Sequence, residues 1–263
     1  MHLTQLIKIS FLILSVAVLA KTATTQRRKI DDESGGELIK YDAVSIHKGI
    51  IKAYRSPFSW KHNEILTFAT VAAGIGFLYL YDEEISQLFR KKEASVLPIL
   101  KKFGWYYGSP ENHYIINAGF YLYGLISKNE EIRKTGVLLI SATLAAGLLQ
   151  TILKLLIGRA RPLRNEGKFS LNSFTRENSY YSFPSGHSIL SFTTAYAIGK
   201  QFSHPLPKAG MYAFGSIAPL SRLWAGAHWF TDAATSICLS IPIVNIIDDF
   251  LIEERNYRSG LDK

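Results

Sequence analysis

Cysteine is almost absent from this chain: the single thiol among its 263 residues is that of Cys238. One cysteine cannot form an intramolecular disulfide, so the sequence does not report the redox compartment. A chain of this length buries a sizeable core without a disulfide framework. Because Cys238 lies in the apolar run AATSICLSIPIVNII, we interpret it as a small core residue.

Metal-binding patterns are missing as well. There is no cysteine set, no HExxH and no carboxylate cluster at ligand spacing, so we predict no metal site and no cofactor. No block of Lys and Arg with interleaved aromatic residues occurs, which makes nucleic acid the weakest candidate partner for a net charge of +9. The 30 basic and 21 acidic residues instead favour a membrane surface or a phosphorylated substrate.

The first residues have the composition of an export signal. ISFLILSVAVL is an apolar stretch of eleven residues, too short to span a bilayer comfortably, and VLA before Lys21 resembles a cleavage site. We therefore predict a signal peptide over 1–20 and a protein of the cell envelope, with an uncleaved anchor as the alternative. A polar N-terminal segment over 21–62 and a C-terminal tail over 256–263 are predicted to flank a helical domain over 63–255.

The apolar segments lack the strict alternation of apolar and polar residues that is typical of a half-buried strand. Their Ala, Leu and Gly content predicts an all-α fold, a bundle of about six core helices. One long polar loop over 159–183 interrupts it, and loops of that length in compact domains are usually functional. The predicted helices cover 65–81, 113–127, 135–158, 188–199, 209–221 and 233–252.

Long apolar spans are scarce. Only 135–158 is long enough to cross a bilayer with few polar residues, and it contains Gln150 and Lys154. If the chain is exported and its first three helices all cross, the loop after Gly158 ends in the cytoplasm, which is unexpected for an exported protein. We therefore favour a periplasmic protein, soluble or membrane-associated, over an integral membrane protein.

Three short polar blocks stand beside these helices. In the first, KLLIGRARP, Lys154 lies near the end of the longest apolar helix, where a charge is costly without a partner. Arg161 follows seven residues later, about two helical turns, so both cations can lie on one face. A snorkelling lysine and a favourable charge at the helix end are the structural alternative.

The second block, PSGH over 184–187, directly precedes a predicted helix. Ser185 is a candidate helix cap, and the turn presents backbone N–H groups at a helix N-terminus, which is an anion site. His187, in the first helical turn, would face an anion held there. A capped helix start with an incidental histidine is the structural alternative.

The third block is SRLWAGAHWFTD. His228 and Asp232 are four residues apart, so on a helix they share a face and can hydrogen-bond. A carboxylate on one imidazole nitrogen fixes the tautomer and leaves the other nitrogen nucleophilic. Arg222 supplies a planar fork suited to phosphate oxygens. A buried His–Asp pair that serves only the fold is the structural alternative.

Together, Lys-x6-Arg-Pro, Pro-Ser-Gly-His and Ser-Arg-x5-His-x3-Asp resemble the three-part signature of the type 2 phosphatidic-acid phosphatase superfamily. The resemblance extends over roughly 65–250, and every signature position matches: Lys154, Arg161, Pro162, Pro184, Ser185, Gly186, His187, Ser221, Arg222, His228 and Asp232. It implies a phosphatase, a hydrolase that acts on a phosphate monoester or pyrophosphate, and it makes 159–183 the active-site loop.

The resemblance also implies a role for each residue. His228 would be the nucleophile that forms a phosphohistidine, Asp232 its orienting partner, and His187 the acid that protonates the leaving oxygen. The implied phosphate-binding residues are Lys154, Arg161, Ser185, Gly186 and Arg222. We interpret Arg159 and Arg164 as surface or leaving-group contacts.

The substrate is less defined by the sequence. Apolar helices and the Tyr and Trp residues near the blocks favour a lipid-linked phosphate, although ordinary core aromatics would explain the same pattern. The alternatives are a soluble periplasmic non-specific acid phosphatase, a vanadate-dependent haloperoxidase, and a phosphate- or lipid-binding protein without catalysis. The intact set of two histidines and one aspartate counts against simple binding. No feature of the sequence predicts the oligomeric state.

Overall fold

The computed structural model of the chain describes residues 35–261, so the predicted signal peptide over 1–20 lies outside the described residues. Within that range the helices are α1 Gly35–Arg55, α2 His62–Tyr79, α3 Asp82–Lys92, α4 Pro98–Tyr107, α5 Pro110–Ile126, α6 Glu130–Ile157, α7 Gly186–Lys200, α8 Pro205–Gly215, α9 Ile217–Trp224 and α10 Phe230–Leu261. The described part of the chain contains no β-strand, which confirms the predicted all-α fold.

Each predicted helix has a counterpart, but the segment 209–221 forms two helices, α8 and α9. Pro219 explains the break. A continuous helix would need the residue at 219 to donate its N–H to the carbonyl of Gly215, and proline has no N–H. In α9 the proline instead lies in the first turn, where helical N–H groups have no partner within the helix.

Three helices, α1, α3 and α4, were not predicted. Helix α3 is a polar segment, DEEISQLFRKK, which carries its acidic residues in the first turn and its basic residues in the last. Those charges complement the helix dipole at both ends. Helix α1 lies in the predicted polar segment and buries Leu38, Asp42, Ser45 and Gly49, a stripe with little apolar content. None of these three helices contains a long apolar run, so the apolar pattern of the sequence did not predict them.

The core lies between α5, α6, α7 and α10, where side chains such as Phe120, Leu139, Ile189 and Val244 are fully buried. Helices α7 and α10 approach closely because small hydroxyl residues line their contact. Their N-terminal ends are joined directly, since the Ser185 N–H donates to the carbonyl of Asp232 at 3.3 Å. The second and third sequence blocks therefore meet at one end of the bundle.

The loop between α6 and α7 folds back on itself. Gly158 ends α6 with a φ of 57°, and a Cβ there would lie 1.9 Å from the carbonyl oxygen of Asn172, so only glycine fits. After this turn, Arg159 forms an antiparallel bridge with Leu171, and its carbonyl accepts from the Ser182 N–H at 3.0 Å. The predicted loop over 159–183 thus carries the first block towards the other two.

Within residues 35–261, two helices are long and apolar enough to cross a membrane, Glu130–Ile157 and Phe230–Glu254. A third crossing is possible by length if α2 and α3, which meet at an angle of 67°, count as one broken span. The sequence analysis found only the first of these, because α10 continues through Pro242 and extends beyond the predicted 233–252.

Candidate active site

The end of α6 and the loop after it hold the two cations of the first block next to His228. The Lys154 ammonium donates to the carbonyl of Tyr181 at 2.7 Å, one residue before Ser182, whose own carbonyl contacts His228. The Arg161 guanidinium donates to the carbonyl of Ala227 at 3.5 Å, one residue before His228. Both cations are therefore held by backbone carbonyls one residue away from the contact between Ser182 and His228.

His228 is held in one tautomer by a backbone carbonyl. Its Nδ1 lies 2.7 Å from the carbonyl oxygen of Ser182, and because a carbonyl can only accept, Nδ1 must carry the proton. In the neutral ring Nε2 then keeps its lone pair. The predicted direct hydrogen bond to Asp232 is not formed, since Nδ1 and Oδ2 are 3.7 Å apart. His228 precedes α10, so helical spacing does not govern this pair.

Asp232 is fully buried in the first turn of α10 and accepts hydrogen bonds on both oxygens. Its Oδ2 accepts from the Ser182 hydroxyl at 2.5 Å and from the Trp229 N–H at 2.8 Å. Its Oδ1 accepts from Arg159 at 2.7 Å. Because Ser182 in turn accepts from His228, Asp232 positions His228 through Ser182, and its charge lies on the Nδ1 side of the ring.

The start of α7 forms the wall opposite His228. Ser185 is the N-cap, whose hydroxyl oxygen accepts from the Ser188 N–H at 3.4 Å. Gly186 leaves room for Gln150, since a Cβ on Gly186 would lie 2.6 Å from the Gln150 Oε1. That Oε1 is buried and has no hydrogen-bond partner among the described residues. The Gln150 side chain thus packs against the turn that the sequence analysis predicted to hold an anion.

Helix α4 covers His187 and Arg222 with the Trp105 side chain. The Trp105 ring lies 5.9 Å from the His187 ring and 3.8 Å from the Arg222 guanidinium carbon, and 52% of Trp105 is exposed. Gly108 permits this approach, because a Cβ there would lie 2.7 Å from the His187 side chain. Trp105 thus joins one of the predicted cations to the predicted acid at the edge of the site.

The three predicted phosphate-binding cations of the site have no carboxylate in direct contact. In the described part of the chain, Lys154, Arg161 and Arg222 make no ion pair within 4 Å, and the Nε of Arg222 is buried without a hydrogen-bond partner. Arg222 is 3% exposed. Burying unpaired cations is costly unless an anion binds among them. The site therefore favours an anion with several oxygens.

Burial and these charges lower the pKa of several groups in the site. Burial lowers the pKa of Arg222 to about 10, and Arg161 adds to this shift. Burial also lowers the pKa of His187 to about 3, helped by the charges of Arg222 and His228. The pKa of His228 falls to about 4 through burial, with Asp232 opposing and Lys154 and Arg161 adding to the decrease. Both histidines are neutral at physiological pH before an anion binds.

A pH dependence of stability follows. The pKa of His187, His228 and the buried His113 is lowered, in each case to about 3 or 4, whereas an unfolded histidine titrates near 6.5. Their contribution is complete above pH 6.5 and is lost as the pH falls towards 4, because the unfolded chain then binds more protons. We expect the temperature at the midpoint of thermal unfolding to decrease when the pH is lowered from 7 to 5. This decrease should be smaller in His187→Asn than in the wild type, and it should be the same as in the wild type in His204→Asn, a control at an exposed position. Equal decreases in the wild type and both variants would contradict the prediction.

Sequence reasoning was wrong about Arg159 and overlooked two other residues. Arg159 is 1% exposed and pairs with Asp232, so it is not a surface or leaving-group contact. Arg164 does lie at the surface, where it pairs with Glu177 at 2.8 Å. Gln150 and Trp105 were not predicted as site residues. The position of Gln150, one helical turn before Lys154, could have indicated that it faces the site. No feature of the sequence indicates this for Trp105.

Comparison with known proteins assigns the family. The family model described as the PAP2 superfamily matches residues 135–249, a range that includes all three blocks. This range matches the PAP2 superfamily. The resemblance inferred from the signature residues is thereby confirmed, and the roles of individual residues in this PAP2 domain stay predictions.

Curated relatives of the PAP2 domain are the lipid A 1-phosphatases of Rhizobium etli and Rhizobium johnstonii. Each is 32% identical over 106 residues, which is 39% of this chain and 44% or 42% of the relative. The chain thus matches less than half the length of either protein. The crystal structure of Aquifex aeolicus LpxE is 21% identical with a TM-score of 0.45, and the match covers 61% of this chain and 92% of that one.

Proposed function

We propose that the chain is a lipid phosphate phosphatase that works without a metal ion and through a phosphohistidine intermediate. The observation that carries this proposal is the cluster of cations without carboxylate partners, Lys154, Arg161 and Arg222, beside a histidine with a free Nε2. Phosphoryl transfer requires chiefly positioning and neutralisation of charge on the oxygens, and these residues would supply both.

The reaction would proceed in two steps. The Nε2 lone pair of His228 attacks phosphorus, the bond to the leaving oxygen breaks, and the protonated His187 ring donates its proton to that oxygen. A water molecule then gives a proton to neutral His187 and attacks phosphorus, which releases His228 and inorganic phosphate. His187 must therefore be protonated when substrate is bound. A bound phosphate dianion would favour this, because it neutralises the cations that lower the pKa of His187 in the free site.

A lipid substrate is supported by the surface around the site. The active-site loop itself exposes Leu163, Phe169, Leu171 and Phe174, each by more than half of its surface. Helix α2, with the sequence HNEILTFATVAAGIGFLY, has no buried residue at all. Exposed apolar patches of this extent mark membrane or ligand surfaces. The names of the curated relatives make the 1-phosphate of lipid A the first candidate substrate, and we propose that the site acts at a membrane surface of the cell envelope.

The test is a comparison of two substrates with the full-length protein in detergent micelles. We expect kcat/KM for a lipid A-type glycosyl phosphate to exceed that for p-nitrophenyl phosphate by at least about 100-fold, since remote binding energy of the lipid lowers the barrier. Turnover should persist in EDTA. Comparable efficiency on the small ester would overturn the lipid assignment, and no release of phosphate from any ester would overturn the phosphatase assignment.

A further inference from the structure

Arg159 is buried among groups that satisfy nearly its whole guanidinium. One terminal nitrogen donates to Asp232 Oδ1 at 2.7 Å and to the Thr231 hydroxyl at 2.9 Å, and the other donates to Asp82 Oδ2 at 2.8 Å. The Nε donates to the carbonyl of Lys168 at 3.3 Å. The Tyr79 ring covers the guanidinium carbon at 4.2 Å. A buried cation between two buried carboxylates is held in one position.

Asp82 comes from a distant part of the chain, at the bend between α2 and α3, and is fully buried. Its Oδ1 accepts from the Thr231 N–H at 3.0 Å, and its Oδ2 accepts from the Thr231 hydroxyl and from Arg159. Asp82 therefore fixes both Arg159 and the first turn of α10, where Asp232 is located.

The geometry also shows what Asp82 prevents. A guanidinium next to a single carboxylate commonly binds both of its oxygens. Here Asp82 occupies the second terminal nitrogen of Arg159, so Asp232 receives Arg159 on Oδ1 only. Its Oδ2 is thereby kept for the Ser182 hydroxyl and the Trp229 N–H. Ser182 in turn accepts from Nδ1 of His228.

We infer that Asp82 and Arg159 are positioning residues, which direct Asp232 towards Ser182 and so hold His228 in its nucleophilic tautomer. This inference rests on the proposed function. Asp82 lies outside the three signature blocks, and Arg159 occupies a position of the first block that the signature leaves variable. Without Asp82, Arg159 can engage both oxygens of Asp232 and withdraw Oδ2 from Ser182. Among the described residues, Asp232 lies within 4 Å of two basic side chains, Arg159 and His228. Without the Arg159 guanidinium, the buried Asp232 carboxylate therefore keeps only His228.

The test separates turnover from binding in Asp82→Asn and Arg159→Lys. We expect kcat for the lipid phosphate to fall about 10- to 100-fold, by analogy with the loss measured when the outer partners of a metal-bound histidine are removed. KM and the inhibition constant of inorganic phosphate should stay within about twofold, because Lys154, Arg161 and Arg222 are unchanged. Since both residues act through Asp232, their effects in the double variant should not add.

The matched control is Asp42→Asn, which alters another buried aspartate paired with an arginine, Arg133, away from the site. It should lower stability but leave kcat unchanged. If Asp82→Asn and Arg159→Lys keep the wild-type kcat, or if their kcat and their phosphate affinity fall together, the inference is overturned while the proposed function stands. A wild-type protein that hydrolyses no phosphoester would remove the proposed function, and this inference with it.

Discussion

Replacing His228 with asparagine is expected to reduce kcat by at least about 10,000-fold, the scale seen when a nucleophile or its base is removed from a hydrolase. An asparagine amide nitrogen can occupy the place of Nδ1 and still donate to the Ser182 carbonyl, which lies 2.7 Å from Nδ1 in the native site. The variant therefore keeps the local hydrogen bond and removes only the Nε2 lone pair. Inorganic phosphate should inhibit or bind with nearly unchanged affinity, because the cations remain.

The phosphohistidine itself can be observed. Substrate with a radiolabelled phosphate, quenched in base during turnover, should leave label on the wild-type protein, and the label should be lost in acid. His228→Asn should carry none. The matched control is His204→Asn, at an exposed position where the histidine Nδ1 caps α8 and an asparagine oxygen can replace it. Label on the His228→Asn protein, or a kcat of this variant that is at least a tenth of the wild-type value, would show that another group attacks phosphorus.

Local patterns sufficed for the long apolar helices and the signature blocks, because an apolar run and a fixed spacing are properties of neighbouring residues. Residues that act across the fold could not be found this way. Asp82 lies 150 positions before Asp232, in a polar helix that the search for apolar runs did not detect. Arg159 was assigned to the surface because a loop sequence does not state the direction of a side chain. Trp105 reaches the site only because Gly108 lets α4 approach His187.

The spacing argument for His228 and Asp232 shows the same limit. Four residues apart on a helix would place the two side chains in contact, but α10 begins at Phe230, between them. Asp232 instead accepts from the Trp229 N–H, as a carboxylate in a first helical turn can, and the Ser182 carbonyl accepts from the Nδ1–H of His228. The predicted contact between His228 and Asp232 thus rested on an incorrect geometry, because the helix boundary decides which groups face each other.

Replacing Arg222 with glutamine is expected to lower kcat/KM by about 100- to 1,000-fold, the cost of removing one preorganised donor to transition-state oxygens. Arg222 is 3% exposed, stacks on Trp105 at 3.8 Å and leaves its Nε without a hydrogen-bond partner among the described residues. We therefore expect its charge to bind an incoming anion rather than to stabilise the fold, and glutamine removes this charge. The affinity for inorganic phosphate should fall along with kcat/KM, which distinguishes this change from His228→Asn.

The controls for Arg222 test charge and shape separately. Arg222→Lys keeps the charge but loses the planar fork and the stacking on Trp105, so it should recover only part of the activity. Arg164→Gln removes an arginine of the active-site loop that pairs with Glu166 and Glu177, and it should change kcat/KM less than about twofold. Equal losses in Arg222→Gln and Arg164→Gln would mean that net charge near the site attracts the substrate. A loss confined to Arg222 would mean that this guanidinium binds the phosphate oxygens directly.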